Sequence, residues 1–113
     1  MQLTAERRGD ALMIRVEEAR IDAAVAIAFK EAMRQAAAAG DRRLVLDLSR
    51  VGFLDSSGLG ALVAVMKLLG PDRRLELACL TPPVAKVIRL TRMDSVFTLH
   101  EALPDAGQLR HAG

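Results

Sequence analysis

The sequence predicts an α/β domain with a mixed, mostly parallel sheet of about five strands and about four helices. Three observations point there. Short apolar runs alternate with stretches of helical periodicity along most of the chain. The run Leu44-Val45-Leu46-Asp47-Leu48 is nearly all apolar, as a strand covered on both faces is. Gly9-Asp10, between the first two extended runs, favours a hairpin turn, which makes the first strand antiparallel and places it toward an edge.

The elements follow in order. Leu3 to Arg7 and Ala11 to Val16 are the hairpin strands; Leu12, Ile14 and Val16 alternate with Met13, Arg15 and Glu17, as in a half-buried strand. Ile21-Asp22 ends the hairpin and opens a helix, with Asp22 expected as its N-cap. Val25, Phe29, Ala32 or Met33, and Ala36 recur at helical spacing, while Lys30, Glu31, Arg34 and Gln35 face out. Gly40 is the stop. After the strand Leu44 to Leu48 comes a loop and a second helix reaching about Leu69, ended by Gly70-Pro71-Asp72. Leu75 to Leu80 reads as a strand, with Cys79 packed in it as a small hydrophobe. Thr81-Pro82-Pro83 starts a third helix, Thr81 as N-cap and Pro82 at its first position. Val84, Val87, Ile88 and Thr91 give its inner face. Met93-Asp94-Ser95 is a loop, Val96 to Leu99 a short strand, and the tail a poor helix, weakened by Pro104 and Gly107.

If the central strands are parallel, the loops holding Asp22, Asp55-Ser56-Ser57 and Thr81 share the carboxyl-end edge of the sheet. Open α/β sheets place their sites there. Helix capping by itself also explains each of these residues. In the second helix Leu59, Leu62, Val63, Met66 and Leu69 can serve the core, and Lys67 is the single charged residue from Ser57 to Leu69. Ala61, Ala64, Val65 and Leu68 are then left on or near the other face, so a second cover is expected. That cover is a partner surface adjoining Ser56, the C-terminal tail or a second copy of the chain. The candidate partner surface comprises Leu59, Gly60, Ala61, Ala64, Val65, Lys67 and Leu68.

The chain has 113 residues, enough for one core, so a single domain over 1–113 is expected. Lys and Arg number 16 against 14 Asp and Glu, and the basic residues are scattered rather than clustered. With no Trp or Tyr and three Phe, base-stacking platforms are scarce, which argues against direct nucleic-acid binding. One Cys excludes an internal disulfide. No basic-then-apolar leader opens the sequence, and its longest uncharged run, Ser56 to Met66, falls far short of the roughly 18 residues of a membrane span. A cytoplasmic protein without membrane insertion is the expectation. Neither Ser56 nor Ser57 has the flanking glycines of a hydrolase nucleophile elbow. The histidines, His100 and His111, lie near the C-terminus, and His111 falls in the tail, so no base for serine attack is evident. Gly58-Leu59-Gly60 lacks the third glycine of a dinucleotide fingerprint, Val63 standing there. No metal-ligand spacing occurs. Neither catalysis nor a cofactor is expected.

The stretch Asp55-Ser56-Ser57-Gly58-Leu59-Gly60, preceded by Leu44-Val45-Leu46-Asp47-Leu48, resembles the signature of STAS domains, specifically bacterial anti-sigma factor antagonists. Ile21-Asp22-Ala23-Ala24 resembles the family's turn before its first helix. Leu90-Thr91-Arg92-Met93-Asp94 resembles its late Leu-Thr-Gly-Leu-Asp segment, with Arg92 in place of the usual small residue. The resemblance runs from about Leu12 to Leu99 and leaves the tail from about Pro104 poorly matched. It implies a STAS-type fold and phosphorylation of the serine after the aspartate, here Ser56. Asp22, Asp55, Ser57, Gly58 and Thr81 are its expected neighbours. It also implies partner switching. The unphosphorylated protein binds an ATP-binding anti-sigma factor serine kinase of histidine-kinase-like fold, phosphorylation ends that binding, and a serine phosphatase restores it. The alternative is a constitutive STAS adaptor subunit of a membrane transport ATPase or other signalling complex.

Overall fold

The computed structural model describes residues 1–104. The elements run β1 (Leu3–Arg8), β2 (Ala11–Val16), β3 (Arg20–Ile21), α1 (Ala26–Ala37), β4 (Arg43–Asp47), β5 (Phe53–Leu54), α2 (Ser56–Leu69), β6 (Arg74–Ala78), α3 (Pro82–Leu90) and β7 (Thr98–His100), with a 3₁₀ turn at Met93–Ser95. The main sheet has the order β1-β2-β4-β6-β7. β1 pairs antiparallel with β2, and every other neighbour is parallel. β3 and β5 form a separate two-stranded parallel ribbon, Arg20 opposite Phe53 and Ile21 opposite Leu54.

Each parallel step crosses the sheet in the same direction, from β2 to β4 to β6 to β7. Right-handed crossovers then put α1, α2 and α3 on one face. The core fills that side: Leu12, Ile14 and Val16, Leu44 and Leu46, and Leu75 and Leu77 from the sheet meet Phe29, Met33, Leu62, Val65, Val84 and Ile88 from the helices. β4 is buried along its whole length, as its apolar run requires. The reverse face carries a smaller cluster of Ala11, Met13, Val45 and Ala78, with Cys79 and Leu103 against it. Beside it Glu76 is buried and held by Arg43, whose Nε and Nη2 each donate to it at 2.8 Å. His100 Nε2 lies 2.6 Å from the same carboxylate.

Several expectations need correction. α1 begins at Ala26, because Asp22 does not cap it: Asp22 Oδ1 accepts from Ala24 N at 3.1 Å, closing a turn ahead of the helix. Cys79 falls outside β6 at φ 60°, because the chain leaves the sheet there in a left-handed residue. Thr91 is exposed, its hydroxyl donating back to the Val87 carbonyl at 2.7 Å rather than packing inward. The last strand starts at Thr98, after Phe97 turns into the core. Met93–Ser95 is a 3₁₀ turn rather than an open loop, and Arg92 enters it at φ 60°, the conformation a glycine adopts most readily. Three α-helices stand among the described residues; the tail helix and His111 lie outside them.

Candidate functional site

Ser56 is the first residue of α2 and is exposed, as is Ser57. Asp55, extended at φ −101° and ψ −175°, is the N-cap. Its Oδ1 accepts from Gly58 N at 2.8 Å, satisfying a helix-start donor that has no carbonyl to pair with. Its Oδ2 accepts from Ala23 N at 3.3 Å, in the turn after β3. One carboxylate therefore joins the Asp22 loop to the Ser56 loop, which follow the paired ribbon strands β3 and β5 rather than strands of the main sheet.

The ribbon fixes this juncture. Ile21 and Leu54 are buried, so Arg20 and Phe53 face outward. The Arg20 guanidinium lies over the Phe53 ring, 4.1 Å from its centroid. Arg20 Nε also donates to Asp22 Oδ2 at 3.0 Å. That hydrogen bond holds the Asp22 carboxyl below its ordinary range, against desolvation acting the other way. Gly58 is buried where α2 crosses the end of β3; a Cβ there would stand 2.0 Å from the Ile21 carbonyl oxygen. Glycine is required because only its bare Cα lets helix and ribbon come this close.

Thr81 stands at the start of α3 without capping it through its side chain. Its hydroxyl donates instead to the Val51 carbonyl at 2.7 Å, tying α3 to the segment that leads into β5. Among the described residues no hydrogen bond joins Thr81 to Ser56 or Asp55; its tie is to Val51, ahead of β5.

The candidate partner surface on α2 is narrower than its sequence suggests. Ala61 and Val65 are buried, because α1 lies against α2 on that side. Leu59, Val63 and Met66, expected in the core, are only half-buried. Leu62 and Leu69 are in the core as expected, and the buried face extends from them toward α1. Gly60, Lys67 and Leu68 are exposed and Ala64 is half-buried. With Ser57 they follow helical spacing as a stripe running roughly 18 Å from the helix start. Beside it, between α1 and α2, is a groove of about 340 Å³ lined by Ile27, Lys30, Glu31, Arg34, Ala64, Val65 and Leu68. Ile27 is 78% exposed and Leu68 51%. Sequence reasoning missed Ile27, Arg20 and Phe53. Ile27 carried a signal, being an apolar residue in phase with the charged face Lys30, Glu31 and Arg34.

These features define a small α/β domain that presents a serine at a helix start beside a partly apolar helix face. The chain belongs to the STAS domain family, whose model matches residues 2–106. A curated relative, the anti-sigma-F factor antagonist RsfB of Mycobacterium tuberculosis, is 34% identical over 86 residues, 76% of this chain and 70% of its own length. The crystal structure of an anti-sigma factor antagonist from Mycobacterium paratuberculosis is 31% identical, with a TM-score of 0.81 over 93% of this chain and 89% of that one. The anti-sigma factor antagonist SpoIIAA, in its unphosphorylated form, shares the fold at a TM-score of 0.68 over 99% of each chain, with 20% identity. Among the described residues no helix is long and apolar enough to cross a membrane.

Proposed function

We propose that this chain is an anti-sigma factor antagonist that acts in the cytoplasm by partner switching and catalyses nothing itself. In its unmodified form it binds an ATP-dependent anti-sigma factor kinase through Ser56, the α2 stripe of Ser57, Gly60, Ala64, Lys67 and Leu68, and the half-buried Leu59. The kinase then ends the complex by modifying Ser56. The Ser56 Oγ attacks the γ-phosphorus of the kinase's ATP; the Oγ–P bond forms, the bond to ADP breaks, and the hydroxyl proton leaves to a kinase base or solvent. A serine phosphatase hydrolyses the ester and restores binding.

The observation that carries this reading is the setting of Ser56: an exposed hydroxyl on a capped helix start, continuous with a helix face poor in charge. A phosphate there adds a charge of about −1.5 to −2. The helix start favours an anion by about 0.3–1 kcal/mol, and solvent hydrates the group, so the free domain keeps its fold. Pressed against an apolar partner the same charge loses its water. Each ~1.4 kcal/mol of that penalty weakens binding tenfold.

The test incubates the protein with the candidate kinase and ATP, maps the phosphate by mass spectrometry, and measures kinase binding by Ser56→Ala and Ser56→Glu. Phosphate on Ser56, retained binding by the alanine variant and binding at least tenfold weaker for the glutamate variant are expected. Equal binding by the two variants removes the switch.

A further inference from the structure

Not every charge near Ser56 opposes a phosphate. Asp55 from the same turn and Asp22 from the end of β3 are carboxylates, but Arg20 is paired with Asp22, whose neighbour Ala23 is bonded to Asp55. Its side chain is 59% exposed, so it can turn without disturbing the core. Its bond to Asp22 is made through Nε, and among the described residues its Nη1 and Nη2 groups make no hydrogen bond. The Phe53 ring beneath it favours keeping the guanidinium at this edge. Arg20 and Phe53 are directly opposite in the ribbon, and Ser56 lies three residues beyond Phe53. Arg20 directly precedes Ile21, whose carbonyl oxygen packs against Gly58, and Ser56 is two residues before Gly58, so the two side chains leave backbones a residue or two either side of one close contact.

We propose that Arg20 is the counter-ion of phosphorylated Ser56, its guanidinium passing from Asp22 to the phosphate while it remains stacked on Phe53. The inference rests on Ser56 being the modified residue. It follows from competition for one cation. Asp22 offers a single negative charge, and the phosphate offers nearly two, with three acceptor oxygens suited to the guanidinium fork. The exchange does two things. It partly neutralises the modified site in the free protein, and it leaves Asp22 without its cation next to Ala24, whose N–H it holds. Phosphorylation would then alter the β3 turn as well as the helix start.

The experiment needs no kinase. Phosphoserine is installed at position 56 by genetic encoding, and its second ionisation is followed by ³¹P NMR against pH in the parent, Arg20→Gln and Arg20→Lys. The dianion is the form that Arg20 stabilises, so Arg20→Gln should raise the phosphate's apparent pKa by about half a unit, and Arg20→Lys by less. The difference should shrink in about 1 M salt. In the parent, the Arg20 Nε–H resonance should move when phosphoserine replaces serine. Identical phosphate titrations in the parent and Arg20→Gln, or an Arg20 resonance indifferent to the phosphate, overturn the inference. Failure of the kinase to modify Ser56 would instead remove the switch reading and leave these titrations unchanged, so the two failures are told apart.

Discussion

Replacing Gly58 by alanine should loosen the start of α2. The added Cβ would meet the Ile21 carbonyl oxygen at 2.0 Å, the Ile21 carbonyl carbon at 2.8 Å and Leu54 Cδ1 at 2.8 Å. Carbon–oxygen contacts stay beyond about 3.3 Å, so helix and ribbon must part by roughly 1.3 Å. The obstacle is β3 backbone, which cannot swing aside as a side-chain tip can. Overpacking of this kind costs about 1–3 kcal/mol. The same movement strains the bonds from Gly58 N and Ala23 N to Asp55, each worth about 0.5–1.5 kcal/mol. Alanine returns at most about 1 kcal/mol of helix propensity. The net loss is about 2–4 kcal/mol, which lowers the urea midpoint by roughly 1–3 M. Gly60→Ala is the control: nothing stands within 4 Å of its Cβ, so the propensity term acts alone and the variant should gain up to about 1 kcal/mol. Both variants are followed by circular dichroism in urea. A Gly58→Ala midpoint equal to the parent's, or to that of Gly60→Ala, would refute the claim that close helix–ribbon approach demands the glycine.

Other outcomes follow from the same geometry. Asp55→Ala removes the cap of α2 and the tie to Ala23, and should cost about 1–3 kcal/mol in thermal or urea unfolding, whereas Asp55→Asn retains most of it. Glu76→Gln leaves buried Arg43 with only the exposed Asp10 as counter-charge and should lower stability at neutral pH by about 3 kcal/mol. The parent's acid limb reports on the same group. Burial pushes the Glu76 carboxyl up, but the hydrogen bonds from Arg43 and His100 and the Arg43 charge outweigh it and hold the carboxyl below its ordinary range. Its contribution is complete above the unfolded value of about 4.3 and is lost as pH falls through the lower folded value, so stability should decline in that acid window. Urea midpoints across that window should fall less steeply for Glu76→Gln; parallel slopes would show that Glu76 does not govern the acid limb.

The parts of the fold legible in sequence were those written locally. Leu44 to Leu48 reads as a strand buried on both sides because every neighbouring element covers it. Asp55 reads as a cap because capping is decided within four residues. The β3–β5 ribbon was not legible. Two residues per strand carry no periodicity, and their pairing joins segments more than thirty positions apart. The orientation of α2 was misread for a related reason. Its residues are apolar on most sides, so little in their order says which side α1 will cover, and Ala61 and Val65 went to the wrong face. Arg20 and Phe53 escaped notice because an arginine and a phenylalanine in separate segments declare nothing until their register is known.

The ribbon that carries Arg20 and Phe53 shares no ladder with the five-stranded sheet. Its inward residues, Ile21 and Leu54, are locked by the core, and its outward ones contribute little to holding the domain together. A lineage could therefore exchange the outward pair repeatedly, tightening or loosening the hold on a charged group at Ser56, while the body of the molecule stays as it is.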